Sequence, residues 1–247
     1  MLNRLTEIVL PPILGVMVHS KETLSAKAQK AQDAYLSKLD IGKRKTKKPV
    51  VVGSLGLVGS GKSSVAQELA KHIGGTIVEG DTIRIHLRKE GEPYKYVRQI
   101  AENIALEILE RGGNVILDAD QADDKKRASV REKVRKVGAR LVFIRTYADP
   151  DVMFGRILSA EYRRHPDDFF GGATTKWKEG TGQQRGAVVK FREAWRRTPR
   201  HYRWSSEGGG KWVLRKLLFS LFADIDTTDP AHWKNEVKKV AEKLTRS

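Results

Sequence analysis

The sequence predicts an α/β fold, a three-layer α/β/α sandwich around a mostly parallel sheet of about five strands. Three observations carry this expectation. From residue 50 onward, short β-branched runs alternate with segments of helical apolar spacing, the pattern of a parallel sheet covered by helices on both faces. The first run, VVVGSL at 50–55, is apolar without alternation, as a strand buried on both faces must be. Between that run and the next helical segment lies GLVGSGKSS, 56–64, too rich in glycine to be the interior of either element.

The elements follow in order. In residues 22–39, Leu24, Ala28, Ala31, Tyr35 and Leu39 recur every three or four positions, which predicts a helix. GKRKTKKP at 42–49 breaks the pattern as a charged linker. Residues 1–49 therefore read as an N-terminal helical arm with a basic linker, and 50–247 as the main domain. The apolar run Ile8 to Val18 holds Pro11 and Pro12, is too short to cross a bilayer and has no small-residue cleavage site after it. It reads first as buried or partner-facing, in which case a protein partner or a second copy would meet residues 1–41; a disordered start and a membrane-surface contact are the other readings. Beyond the first strand, Lys62 to Ile73 has helical spacing, with Val65, Ala66, Leu69, Ala70 and Ile73 inward. GTIVEG (75–80) is a second strand, Tyr96 to Leu109 a helix, NVILDAD (114–120) a third strand, and Ala128 to Val137 a short basic helix. RLVFIRTYA (140–148) is the fourth strand, after which Asp149–Pro150 opens another helix. Pro166 to Gly186 reads as a long loop, 187–197 as helix, SLFADIDT (220–227) as a fifth strand and about 230–244 as a last helix. The sequence has no internal repeat.

Composition narrows the class. Hydrophobic residues make up 39% of the 247, enough for a sizeable core, and no twenty-residue apolar span is present. The absence of cysteine excludes disulfides, thiolate chemistry and cysteine-ligated zinc, and fits a reducing, cytoplasmic location. The net charge of +17 is unevenly spread: residues 1–49 hold 10 Lys/Arg against 4 Asp/Glu, and 151–219 hold 15 against 7. Such a field attracts a polyanion, although it also serves as a solubilising surface. The six histidines have no mutual metal-ligand spacing, so no structural zinc is expected.

The glycines explain themselves through the residues after them. Gly56-x-x-x-x-Gly61-Lys62-Ser63 is the phosphate-binding loop pattern in the strand–loop–helix setting it requires. Glycines let successive N–H groups converge on one anion, and the following helix adds its free N-terminal donors and its dipole. Gly56, Gly59, Ser60, Gly61, Lys62, Ser63 and Ser64 are the expected nucleotide contacts. Lys62 would hold the β- and γ-phosphates, and the Ser63 hydroxyl a magnesium ion. EGDTIR then sets Asp81 and Arg84 three apart at the end of the second strand, on one face of an incipient helix. A carboxylate there can take the proton of an attacking hydroxyl while the guanidinium grips a nearby anion; a capping aspartate with a surface arginine is the other reading. ILDAD puts Asp118 and Asp120 on one side of the third strand. One of them should stand near magnesium, with Asp118 the first choice and Asp120 either a substrate contact or a cap for the helix starting near Asp123. Asp124 and Arg127 are expected on that helix's solvated face.

GLVGSGKS, GDTIR and VILDAD together resemble the P-loop kinase superfamily, in particular the branch with polynucleotide 5′-hydroxyl kinases, zeta-toxin-like kinases and small-metabolite phosphotransferases. The resemblance spans roughly 50–165 and, more loosely, 220–244. It implies a P-loop NTPase fold, ATP and Mg2+ as nucleotide and metal, Asp81 as the base, Arg84 as the acceptor-anion contact and Asp118 in the active site. It further implies a basic lid, for which RILSAEYRRHP offers Arg156 and Arg163, seven apart on one helical face, with Arg164 beside them. Guanidinium forks there would follow the charge on the transferring phosphoryl oxygens. No guanine-selecting NKxD-like motif follows the fourth strand, which favours ATP over GTP.

The acceptor is left open at two possibilities, a small metabolite or nucleotide, or the 5′-hydroxyl of a nucleic acid. FREAWRRTPRHYRW at 191–204 interleaves arginines with Trp195, Tyr202 and Trp204. Arg196 and Arg197 would track a phosphate strand while the rings stack on bases, or else the rings pack the insertion at about 151–219 onto the core. A nucleotide-gated binding or structural protein with slow ATP hydrolysis is the alternative class.

Overall fold

The computed structural model describes residues 21–160 and 182–246. Eight helices and seven strands occur among them. In chain order these are α1 (Ala26–Leu36), β1 (Val50–Leu55), α2 (Lys62–Ile73), β2 (Gly75–Glu79), α3 (Gly80–Lys89), α4 (Val97–Glu110), β3 (Asn114–Asp118) and α5 (Asp124–Lys136). The chain continues with β4 (Arg140–Tyr147), α6 (Pro150–Ser159), α7 (Gly182–His201), β5 (Tyr202–Ser205), β6 (Lys211–Leu214), β7 (Ala223–Asp226) and α8 (Trp233–Arg246). The main sheet is fully parallel with strand order β2-β3-β1-β4-β7, and a separate antiparallel hairpin pairs β5 with β6.

Strand period splits the core into two layers. Val51, Leu55, Val115 and Leu117 face one side, where they meet Ile83 and Leu87 of α3, Ile100, Ile104 and Ile108 of α4, and Val130 and Val134 of α5. Val50, Val52, Ile116 and Ile144 face the other, against Val65, Leu69 and Ile73 of α2 and Val237 and Leu244 of α8. Each such fully buried aliphatic side chain contributes about 1.5–3 kcal/mol relative to exposure. A third cluster, with Leu57, Met153, Ile157, Ala194 and Tyr202, fastens α6, α7 and the hairpin beneath the glycine-rich loop.

The arm's helix lies on the main fold. α1 is capped by Ser25, whose Oγ accepts from the Ala28 N–H at 3.1 Å, and its apolar stripe Ala28, Ala31 and Tyr35 is buried against α3 and α4. The Tyr35 hydroxyl accepts from the Glu79 N–H at 2.8 Å, at the junction of β2 and α3. The basic linker is fastened as well. Asn114, fully buried, accepts from Thr46 (2.9 Å) and from the Val50 N–H (2.9 Å) and donates to the Ile73 carbonyl (2.8 Å). The apolar run at Ile8 to Val18 lies outside the described residues.

Elsewhere the structure differs from expectation in four places. α5 begins at Asp124, four residues early, because Asp123 caps it by accepting from the Lys126 N–H at 3.1 Å. Arg127 is then buried and not solvated: it donates to the Gln121 carbonyl (2.7 Å) and lies 3.9 Å over the Phe219 ring. The helix expected at 187–197 runs from Gly182 to His201, through Pro199, since a proline in the last turn disturbs only carbonyls already near the helix end. The loop expected over 166–186 thus gives way to helix at 182, and 166–181 lie outside the described residues. The β5–β6 hairpin was not anticipated; its strands are only four residues long, and charged residues obscure their period.

Candidate active site

The site grows from the end of β1. Gly56 leaves the strand with φ 150°, and a Cβ there would stand 2.4 Å from Ser60 Oγ and 2.6 Å from the Thr146 carbonyl. Only glycine fits so close an approach. Ser60 is the reason: its side chain is fully buried, 2.8 Å from Thr146 Oγ1, and its N–H donates back to the Leu57 carbonyl at 3.1 Å. Gly61 caps α2 in the left-handed region at φ 81°. The N–H groups of Lys62, Ser63 and Ser64 are then those that a helix leaves without intrahelical partners, and no acidic residue occupies that first turn to compete for them.

These residues wall a cavity of about 680 Å³. Gly59, Gly61, Lys62, Ser63 and Ser64 line it, whereas Gly56 and Ser60 do not. Those two shape the loop from behind, Ser60 through a side chain packed into the core against Thr146. The Lys62 ammonium folds back over the loop, donating to the Gly56 carbonyl (2.8 Å) and the Leu57 carbonyl (2.9 Å). Burial pulls its pKa down, against the opposing pull of Asp120 and Asp118.

The strand ends supply carboxylates. Glu79 and Asp118 are register partners at the ends of β2 and β3, and both line the cavity with Asp81 and Asp120. Asp81, about half exposed in the first turn of α3, is ion-paired with Arg84 and lies 3.9 Å from Lys190 Nζ. Asp120 does not cap α5. It is buried and meets His201 Nε2 at 3.1 Å, an interaction between the loop after β3 and the end of α7. Burial alone would raise the Asp120 pKa, but the His201 hydrogen bond and charge, together with Lys62, hold it below the usual carboxylate range.

The cations come mainly from α7. Lys190, Arg197 and Arg200 line the cavity, as does Glu193, which pairs with Arg197 at 2.7 Å while its buried Oε2 has no hydrogen bond. Arg196 is exposed and outside the lining, so the paired role expected of Arg196 and Arg197 divides. Arg156 does line the cavity, but it clasps the loop from behind: Nη1 donates to the Gly59 carbonyl (3.1 Å) and Thr227 Oγ1 (2.9 Å). Arg163 and Arg164 lie outside the described residues. The aromatic run also divides. Tyr202 is buried beside Met153, while Trp195 and Trp204 are 73% and 56% exposed.

Sequence reasoning missed Lys126, Lys190, Glu193, Arg200 and His201. The signal was present: Lys190, Glu193, Arg197 and Arg200 recur at intervals of three, four and three, one polar stripe of a helix, with Ala187, Phe191 and Ala194 on another face. Lys126 borders a second cavity of about 610 Å³ between α3, α4 and α5. Gly80, Arg84, Ala119 and Lys126 line both cavities, and Asp81, which lines only the first, is ion-paired with Arg84 at that boundary.

The donor set suits magnesium. Hydroxyl and carboxylate oxygens of Ser63 and Asp118 face the cavity, and the orphaned Glu193 oxygen can accept from a bound water. No group of three or more His, Asp or Glu that could hold a metal ion is present among the described residues.

A family model described as an AAA domain matches residues 51–170. No curated protein sequence matches the chain. Among solved structures, a candidate kinase from Chloroflexus aurantiacus aligns with TM-score 0.51 at 17% identity, over 80% of this chain and 99% of that one. The APS kinase of Mycobacterium tuberculosis, solved with AMPPNP and APS, aligns with TM-score 0.48 at 16% identity over 81% and 99%, and a gluconokinase from Sinorhizobium meliloti with 0.45 at 18% over 83% and 96%. The sheet order, the glycine-rich loop between β1 and α2 and the Chloroflexus alignment agree on one statement: the chain has an α/β fold of the P-loop NTPase type.

Proposed function

We propose that the protein is a magnesium-dependent ATP phosphotransferase that moves the γ-phosphoryl group to a hydroxyl of a small acceptor. The observation that carries this reading is the meeting of two cavities at Arg84 and Lys126, with Asp81 on the nucleotide side, ion-paired to Arg84. One cavity has the donors for a triphosphate; the other is room for a second substrate. A nucleotide switch needs only the first.

The chemistry follows from where the charges stand. The α2 first-turn N–H groups and Lys62 hold the phosphates, which requires Lys62 to leave the Gly56 and Leu57 carbonyls for phosphate oxygens. Ser63 and Asp118 would hold Mg2+, which when bound neutralises charge on the β- and γ-phosphates. Asp81 takes the acceptor's hydroxyl proton as the oxygen bonds to the γ-phosphorus and the bond to the β-phosphate oxygen breaks, releasing ADP. Arg197, Lys190 and Arg200 on α7 stand where charge spreads over the transferring oxygens. Arg156 fixes the loop carbonyls and Thr227 beneath them, so it positions the loop.

The test is transfer of label from γ-labelled ATP, with and without magnesium, alongside calorimetric titration of MgATP. Magnesium-dependent transfer to a hydroxyl compound supports the reading. MgATP binding with hydrolysis alone would favour a nucleotide-gated binding protein. A nucleic-acid acceptor is the second reading, favoured by the exposed Trp195, Trp204 and Trp212 beside Arg196, Arg203 and Lys211. Labelling of a 5′-hydroxyl oligonucleotide, with affinity falling steeply in salt, would move the assignment there.

A further inference from the structure

The second cavity is not uniformly charged, and the N-terminal arm is the reason. Glu22 is tied to α4 through its backbone: its N–H donates to Asn103 Oδ1 (3.0 Å), and Asn103 Nδ2 donates to its carbonyl (3.1 Å). Its carboxylate receives Arg98 Nη1 (2.9 Å), Arg98 Nη2 (3.2 Å) and Lys133. The buried Glu102 receives Arg98 (2.8 Å), Ser129 (2.8 Å) and Lys133. Two cations and two carboxylates therefore neutralise one another where Glu22, Arg98, Glu102 and Ser129 line the cavity. The rest of the polar lining is unbalanced. Lys95, Lys125 and Lys126 stand there against Asp123, whose carboxylate caps α5, while Arg84 is paired with Asp81. Burial lowers the Lys126 pKa, against the opposing pull of Asp120 and Asp123. Val78, Val97, Leu117 and Val130 supply an apolar floor.

We propose that this cavity takes a small polyhydroxylated anion, its charged group on Lys95 and Lys125 and its body against the wall that Glu22 of the arm completes. This rests on the phosphotransferase reading above. A volume of about 610 Å³ suits a molecule of sugar-phosphate or mononucleotide size. Glu22 acts by occupying Arg98. With both forks of that guanidinium engaged, the anion is drawn to the lysines, and the free hydroxyl stays near Asp81. Without Glu22, Arg98 Nη1 keeps Glu102 but Nη2 loses its partner and becomes a second anion contact, so acceptors bind in orientations that do not react.

The experiment uses the full chain and matched acceptors with labelled ATP: ribose against ribose 5-phosphate, adenosine against AMP, glycerol against glycerol 3-phosphate and glycerate, and a 5′-hydroxyl oligonucleotide. At least one anionic member should exceed its neutral mate about 100-fold in kcat/KM, roughly two charge-assisted hydrogen bonds. Lys95→Glu, a change at an exposed side chain, should raise the KM of that anion about tenfold and leave MgATP affinity unchanged. Glu22→Gln should lower kcat and KM together, the signature of unproductive binding, which a loss of packing would not produce. Equal use of neutral mates, labelling of the oligonucleotide alone, labelling of no acceptor, or an unchanged KM in Lys95→Glu overturns the proposal. MgATP calorimetry separates the failures. A parent that binds no MgATP defeats the phosphotransferase reading itself, whereas a parent that binds it and labels only neutral acceptors defeats the acceptor assignment alone.

Discussion

At the scale of single residues, Lys62 concentrates the argument. Its ammonium sits on two loop carbonyls that it must release for phosphate, and it packs no core side chain. Lys62→Ala should therefore abolish productive MgATP binding while the melting temperature stays close to the parent's. Calorimetry that returns equal affinities for the two proteins would reject the clamp. The neighbouring carboxylates differ in use. Asp120 is committed to His201, and Asp81 stands in the open with Arg84. Much of this was legible in the sequence. GLVGSGKSS named the clamp because the glycine, lysine and hydroxyl pattern is local, and Asp81 and Arg84 followed from their spacing at a strand end. The burial of the Ser60 side chain was not legible, because it depends on Thr146, eighty-six residues away, and no local pattern reports such a contact.

At the scale of elements, α7 is the part whose position matters most. Phe191 stacks on Phe154 of α6 at 4.6 Å, and Ala194 packs beside Met153 and Ile157, which turns the Lys190–Arg200 stripe onto the cavity. Arg197→Ala should slow phosphoryl transfer by about 10²-fold, the usual scale for removing one donor to developing charge. Arg196→Ala, on the exposed side, should leave turnover unchanged; equal effects from the two would mean that α7 does not face the cavity as described. The bounds of β1, α2 and α6 were legible because β-branched runs, glycine and proline mark them locally. The face that α7 presents was not, since its stripe pattern says that one side is polar and only tertiary packing says which cavity it covers. A further element-level consequence concerns α4 and α5. Glu102 is buried and receives Arg98, Ser129 and Lys133, so Glu102→Ala leaves the two cations with Glu22 alone and should cost about 1–3 kcal/mol in urea unfolding.

At the scale of the whole molecule, the arm is bound into the fold by charge as well as by packing. Burial alone would raise the Glu22 pKa, but hydrogen bonds from Lys133 and Arg98 outweigh it and lower the value from 4.5 to about 2. A carboxylate depressed in the folded state contributes stability above its unfolded pKa and loses it as pH falls toward the folded one. The parent should accordingly lose stability between about pH 4.5 and pH 2, and Glu22→Gln should flatten that part of the acid limb. Identical limbs for the two proteins would show that the arm's ion pairs do not stabilise the fold. No helix among the described residues is long and apolar enough to cross a membrane.

Arg84 and Lys126 form the seam between the two cavities, and Asp81, paired with Arg84 on the nucleotide side, is the carboxylate proposed to take the acceptor's proton. The most direct measurement is turnover at saturating acceptor and MgATP affinity, both determined on one preparation of Asp81→Asn. The account predicts turnover lower by about 10²–10⁴-fold, the scale of lost acid–base assistance, with MgATP affinity nearly unchanged. Unchanged turnover, or a collapse of MgATP affinity in its place, would contradict it.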